Sequence, residues 1–318
     1  MDTQAHSPTP LDQLHTAFGD LLQENILMAN YTTAHVGGPV DAALIAQSAA
    51  ELENSVQRLW QMNIPFYLLG SGSNVLVSDA GIRGVVVINR AHTVKIDTHT
   101  NPPTVWAESG ANLSGMARQL ALRGLSGLEW AANVPGSVGG AVYGNAGAFG
   151  MDIKSSLILA EILHRKEGRQ NLSSARLEFD YRTSILKHTP GQAIVLAARF
   201  GLATSTKDEV QARMDSYTAQ RRHLQPPGAS LGSMFKNPKG DYAGRLIEAA
   251  GLKGTRIGGA QISKLHANFF VNDQQASAKD IWELIKLARR TVQDKFGVNL
   301  ELEVELLGDW PEVYTGQK

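Results

Sequence analysis

The chain has 318 residues, 43% hydrophobic and 19% charged, which is enough apolar material for two or three cores and not the composition of a disordered protein. Thirty basic residues balance thirty acidic ones, so there is no broad basic surface to neutralise a nucleic-acid backbone. The absence of cysteine excludes disulfides, thiolate metal sites, cysteine nucleophiles and flavin tethered through sulfur.

The opening stretch, Met1 to Asp20, is polar, with neither a basic start nor an apolar run, and does not read as a signal peptide. No later segment reaches membrane-spanning length, so the simplest reading is a cytoplasmic protein with no membrane partner. Residues 21–92 form a first lobe. In it Leu52, Val56, Leu59 and Trp60 recur at helical spacing and predict a helix from Ala49 to Met62. A strand, Phe66 to Leu69, runs into the loop Gly70-Ser71-Gly72-Ser73-Asn74, and a second apolar strand follows from Gly84 to Ile88.

Residues 93–204 form a second lobe, with strands predicted at Thr104 to Glu108, Leu157 to His164 and Ala193 to Phe200. A helix from about Leu113 to Arg123 interrupts them, with Gly124 as its stop. Between the strands lies Pro135 to Gly150, with six glycines in sixteen residues. This run is predicted to be irregular, because glycine is costly inside regular elements and useful where backbone approaches a ligand.

Residues 205–318 form a third domain. A helix from Lys207 to Gln225 stops at Pro226-Pro227. After it come the loop Gly232 to Pro238, a helix near Ala243 to Ala250, and a long helix whose capping box is Ser277 with Asp280. From Asn299 to Leu307, Leu300, Leu302, Val304 and Leu306 alternate with Glu301, Glu303 and Glu305, which predicts a strand with one apolar and one carboxylate face.

Two familiar phosphate motifs are absent. The loop after Leu69 has Val75 where a dinucleotide fingerprint needs its third glycine, and no Walker sequence occurs. What remains is a tight turn or a backbone nest for an anion, to which Ser71 and Ser73 could add hydroxyl donors. Spacing alone favours the turn. A second glycine-rich segment favours two backbone-lined walls around an elongated cofactor.

Pro135-Gly136-Ser137-Val138-Gly139-Gly140 followed by Asn145-Ala146-Gly147 brings a resemblance into view. With Phe179 to Ser184, Gly232 to Pro238, His266-Ala267-Asn268-Phe269 and Leu302-Glu303-Val304, the order and spacing resemble the UDP-N-acetylenolpyruvoylglucosamine reductase family from about Asn30 to Gly308. The short segment from Arg182 to Ser233 is similar to the subfamily that lacks an inserted tyrosine-bearing loop. The resemblance implies an α+β protein: a two-lobed FAD-binding domain of the p-cresol methylhydroxylase or vanillyl-alcohol oxidase type, plus an α/β substrate-binding domain. It also implies non-covalent FAD, NADPH as co-substrate, and reduction of the enolpyruvyl sugar nucleotide. No metal is implied, and a monomer is compatible with it. Two positions depart from the pattern. Asn133 stands where glycine is usual, and asparagine is the side chain that best tolerates positive φ. Phe149 stands where tyrosine is common, which removes a hydroxyl.

From residue type alone, Arg182 reads as a solvated or salt-bridged cation, Ser233 as a turn former, and Glu303 as one of three equivalent glutamates. The resemblance implies catalysis for all three. Arg182 and Glu303 would stabilise charge on the reduced substrate, and Ser233 would donate the proton. It implies cofactor contacts from Gly70 to Asn74 and from Pro135, Gly136, Ser137, Gly139, Gly140 and Asn145. Substrate contacts would come from Lys236, Asn237, His266 and Asn268. Arg221 and Arg222 could meet a diphosphate, although a charged helix terminus is their simpler meaning. The rival readings are an FAD oxidase, disfavoured because the Gly70 loop has no histidine or cysteine for attachment, and a non-catalytic sugar-nucleotide-binding protein.

Overall fold

The computed structural model describes residues 9–310. The first eight residues of the polar opening stretch, and the last eight of the 205–318 segment, lie outside it. The architecture is α+β and divides into two compact units. The central unit comprises Leu44–Ser71 and Val86–His223, and the terminal unit comprises the chain up to Ala43, Gly72–Val85 and the chain from Leu224 onward. The chain changes unit within the strands Pro39–Ala46 and Ile82–Asn89, and again between Ser71 and Gly72 inside the first glycine-rich loop.

In the central unit, five antiparallel strands lie in the order Gly168–Ser173, Leu157–His164, Ala193–Gly201, Thr104–Glu108, Val94–Asp97. The helix Leu113–Ala121 buries Leu113, Met116 and Leu120 in the core of this unit, and Asn112 caps it by accepting from Gly115 N. The helix Ala49–Gln61 buries Leu52, Val56 and Leu59 and is capped by Ser48, close to the expected bounds. The glycine-rich run departs from expectation, for it contains a helix, Val138–Tyr143, capped by Ser137. A side chain on Gly139 would meet Ser109 Cβ at 2.8 Å. Without one, Gly139 N–H reaches Ser109 O at 2.7 Å. The helical propensity sacrificed at glycine is offset by this close approach.

In the terminal unit, the strands Ala229–Ser233, Phe269–Asn272, Ala260–Ile262 and Arg256–Ile257 form an antiparallel sheet in that order. The helices Ala243–Ala249 and Ala278–Phe296 bury Leu246, Ile247, Ile281, Trp282, Ile285 and Val292 in this unit's core. The strand expected from Asn299 to Leu307 is shorter. Only Glu305–Leu307 is a strand, parallel to Val75–Val77. Before it, Lys236 N donates to Glu301 O and Glu303 N to Met234 O, both at 2.9 Å, so the segment changes partner just after Glu303 and no single ladder forms. The alternation survives in burial: Leu300, Leu302 and Val304 are buried, while Glu301 is exposed and Glu303 half-buried.

The capping box at Ser277 is present in both directions, Ser277 Oγ accepting from Asp280 N and Asp280 accepting from Ser277 N. Ser277→Ala is expected to cost about 1 kcal/mol of stability, read as a lowered denaturation midpoint. An unchanged midpoint would show that the box contributes nothing.

Candidate functional site

The two glycine-rich segments meet in the central unit. A side chain on Gly70 would come within 2.2 Å of Ser137 Oγ, and the Gly70 carbonyl accepts from Arg90 Nη1 at 2.9 Å. In the terminal unit Gly72 is buried at φ +63°, its carbonyl accepts from Thr33 N at 3.0 Å, and a Cβ there would lie 2.0 Å from Tyr31 O. Glycine at 70 and 72 therefore answers to the protein's own packing. Ser71 and Ser73 are half-buried, and Asn74 donates its carboxamide to Glu303 O at 3.0 Å.

The backbone N–H groups from Val138 to Gly140 are already satisfied. Val138 N donates to Ala111 O at 2.9 Å, Gly139 N to Ser109 O at 2.7 Å and Gly140 N to Ser137 Oγ at 3.3 Å. What the segment can offer a ligand is surface: Gly140 is exposed, and a Cβ there would touch only Ser137 Oγ at 3.4 Å. Asn133 closes a 3₁₀ turn, Glu129–Asn133, and is not among the positive-φ residues, so the conformational tolerance expected of it is unused. Its side chain instead donates to Thr218 Oγ1 at 2.6 Å.

Arg182 sits in a two-residue turn closed by reciprocal bonds between Asp180 and Thr183, at φ +57°, rather than in a strand. Left-handed backbone at a non-glycine residue costs energy and recurs at functional sites. Arg182 Nη1 donates to Gly147 O at 3.2 Å, in a hairpin whose turn residues Phe149 and Gly150 also have positive φ. Asn145, 4% exposed, joins the two pieces. Its Nδ2 donates to Asp152 Oδ2 and Asp180 O, and its Oδ1 accepts from Lys154 N, all at 3.1 Å.

The terminal unit gathers Ser233, Lys236, Asn237, His266, Asn268 and Glu303. Ser233 ends its strand directly after an irregularity at which Gly232 takes φ +76°. Asn268, 2% exposed, accepts from Phe235 N at 3.0 Å and donates to Phe235 O at 2.8 Å, while its carbonyl accepts from Met234 N at 2.8 Å. Lys236 Nζ is ion-paired with Glu301. Asn237 Oδ1 accepts from Ala243 N at 3.1 Å, in the first turn of the following helix. His266 Nδ1 accepts from Asn268 N at 3.2 Å, which leaves the proton of the neutral ring on Nε2. Burial, followed by the nearby Lys253 cation, holds this imidazole below the ordinary histidine range.

The positions of Asn145 and Asn268 in the chain were legible in the sequence, but their hydrogen bonding was not. Helix Lys207–Leu224 supplies residues that the sequence left unremarked: Tyr217, stacked on Phe149 at 4.8 Å, and Thr218 on Asn133. Their signal was a helical face, i and i+1 followed one turn later by arginine.

The FAD binding domain model matches residues 40–168. The model for UDP-N-acetylenolpyruvoylglucosamine reductase, C-terminal domain, matches residues 223–307. The UDP-N-acetylenolpyruvoylglucosamine reductase of Chloroflexus aggregans is 44% identical over 291 residues, covering 90% of this chain and 97% of its own. That of Bacillus subtilis is 40% identical over 283 residues, covering 88% and 92%. The crystal structure of UDP-N-acetylenolpyruvylglucosamine reductase from Thermus caldophilus matches with a TM-score of 0.75 at 37% identity, covering 89% of this chain and 97% of that one. The expected FAD-binding fold is thus the one this chain has.

The depressed imidazole of His266 makes a signed prediction. Folded His266 binds its proton less readily than unfolded histidine, so its share of stability is complete above the ordinary histidine pKa, about 6.5, and is lost as pH falls below it. In His266→Gln, the loss of stability between about pH 7 and pH 5 should be shallower than in the unaltered protein. Denaturant titrations across that interval check it, and equal slopes would refute the environment assigned to His266.

Proposed function

The chain belongs to the UDP-N-acetylenolpyruvoylglucosamine reductase family, and on that premise we propose that it reduces UDP-N-acetylenolpyruvoylglucosamine to UDP-N-acetylmuramate with NADPH, as a cytoplasmic enzyme of cell-wall precursor synthesis. FAD, held without a covalent bond, supplies the hydride-carrying chemistry between NADPH and the enolpyruvyl double bond. The residues present suit such a cofactor: Gly140 leaves exposed backbone open to a planar or extended ligand, and Ser71 and Ser73 carry hydroxyls beside Gly70. We assign cofactor binding to lobes 21–92 and 93–204 and substrate binding to 205–318. In the cofactor lobes Gly70 to Asn74, Pro135, Gly136 and Ser137 with Gly139 shape the cradle, and Asn145 fixes its far end.

One observation carries the choice of catalytic groups. Glu303 N donates to Met234 O at 2.9 Å, which sets Glu303 across from the residue that follows Ser233. Glu301 is exposed and ion-paired with Lys236. Ser233 then serves as proton donor to C2 of the substrate, and Glu303 stabilises the charge that develops there. Arg182, a permanent cation with a fork of donors, binds the substrate carboxylate and spreads that charge. Lys236, Asn237 through its carboxamide N–H groups, and His266 through Nε2–H contact the sugar nucleotide. Asn268, with both ends of its carboxamide bonded to Phe235, acts by holding the Ser233 loop.

The test separates the half-reactions. Ser233→Ala and Glu303→Gln should bind FAD and be bleached by NADPH at near-normal rates, while reoxidation by the enolpyruvyl sugar slows by about 100-fold or more. Glu301→Gln should leave reoxidation within a few fold of the unaltered rate. Stopped-flow absorbance of the flavin reads both steps, and reoxidation at full speed in Ser233→Ala would remove the serine from the reaction.

Gly140→Ala tests the cofactor surface independently of packing. The helix should tolerate or gain from the substitution, by up to about 1 kcal/mol, because the added methyl meets only Ser137 Oγ at 3.4 Å. If bound FAD lies against this backbone, flavin affinity falls while the flavin-free melting temperature holds or rises. Retained affinity would move the cofactor off Gly140.

A further inference from the structure

Arg90 reaches the first glycine-rich loop through its backbone, and does so from a rigid base. It follows the strand Ile82–Asn89 and lies half-buried in the central unit. Arg90 N donates to Ala46 O at 2.7 Å, and Arg90 O accepts from His92 Nδ1 at 2.9 Å. Its neighbour Asn89, 3% exposed, donates to Ser109 Oγ at 2.7 Å and accepts from Ala91 N at 3.0 Å. The main chain on both sides of Arg90 is therefore fixed.

From that base Arg90 Nη1 donates to Gly70 O at 2.9 Å, while Ser137 Oγ closes the side of Gly70 that a Cβ would occupy, 2.2 Å from it. The Gly70–Ser71 peptide is trans, so a carbonyl turned toward the guanidinium turns Ser71 N–H the opposite way. That N–H has no hydrogen-bond partner among the described residues. The second segment differs, since the N–H groups of Val138, Gly139 and Gly140 are all taken up within the protein. A cation at the carbonyl also polarises the peptide, which strengthens its N–H as a donor. A donor that is aimed, strengthened and left open suits an anionic oxygen.

We propose that Arg90 is a positioning residue of the cofactor site: through the Gly70–Ser71 peptide it aims and polarises Ser71 N–H toward an oxygen of the FAD diphosphate. This rests on the reading of Gly70 to Asn74 as part of the cradle. Binding through backbone donors depends on their being held in place before the ligand arrives, because a loop ordered by the ligand costs affinity.

Arg90→Met keeps the stem and removes the charge and its donors. Arg90→Gln is a second neutral variant, which carries the test if Arg90→Met does not fold, and Arg90→Lys retains a charged donor. Flavin-free protein is titrated with FAD by flavin fluorescence, and the Ser71 amide is followed by NMR of isotope-labelled protein without FAD and at FAD saturation. The neutral variants should lose about 10-fold or more in FAD affinity, the scale of a hydrogen bond to a charged group, and Arg90→Lys should lose less. In the unaltered protein the Ser71 amide proton should move downfield when FAD binds, and in the neutral variants the movement should be smaller. Unchanged FAD affinity in the neutral variants, a loss as large in Arg90→Lys, or a Ser71 response of full size without the guanidinium overturns the proposal and leaves the cradle reading intact. A Ser71 amide that does not respond to FAD in the unaltered protein overturns the cradle reading and the proposal with it.

Discussion

Backbone that leaves a regular ladder must still satisfy its N–H and C=O groups, and in this protein two buried asparagines meet that requirement at the points where chemistry is assigned. Asn268 imitates a strand: its carboxamide exchanges two bonds with Phe235, as a paired peptide would. This lets the chain leave the ladder after Ser233, the last residue paired with Phe269, while the polar groups of Met234 and Phe235 keep partners. Asn145 does the corresponding work for the turn of Arg182, linking Asp180 to the hairpin end at Asp152 and to Lys154. Both are nearly inaccessible to solvent. An apolar substitute at Asn268 would strand the N–H and C=O of buried Phe235, each costing about 1–3 kcal/mol.

Glycine serves two different ends in the same motifs. At Gly70, Gly72 and Gly139 the missing side chain makes room for Ser137, Tyr31 and Ser109 of the protein itself. At Gly140 the space stays open. A glycine-rich loop is thus not uniformly a ligand cradle: some of its glycines, such as Gly139 and Gly147, let neighbouring segments approach closely, while others, such as Gly140, stay uncovered. This explains why a helix can run through Val138–Tyr143 despite glycine's poor propensity, since the helix is held by Ser109, Ala111 and Ser137 as much as by its own ladder.

Periodicity made the regular elements legible. The strands Thr104–Glu108, Leu157–His164 and Ala193–Gly201, the capped helices at Ser48 and Ser277, and the stop before Pro226 follow from local pattern and capping chemistry, which depend on residues close together in sequence. The misreadings share a different cause. The segment Asn299–Leu307 alternates like one strand, yet its hydrogen bonds pass from Met234 and Lys236 to Asn74 and Val75, partners that the alternation does not encode. Asn133 looked like a conformational substitute for glycine and proved to be a hydrogen-bonding residue, because Thr218 lies far along the chain. The site residues were legible only through the ordered motifs of a family.

The three glutamates near the end of the chain show how structure breaks a tie that sequence leaves. In an ideal strand Glu301, Glu303 and Glu305 would share one face and one environment. The change of partner after Glu303 destroys that equivalence: Glu301 is exposed and neutralised by Lys236, whereas Glu303 is half-buried beside the Ser233 loop with its own carbonyl held by Asn74. The ion pair with Lys236 fastens the exposed Glu301 to the chain that follows Ser233, while the backbone of Glu303 is bonded to Met234, the residue directly after that serine. Position along an interrupted ladder, and not residue type, is what separates the two glutamates.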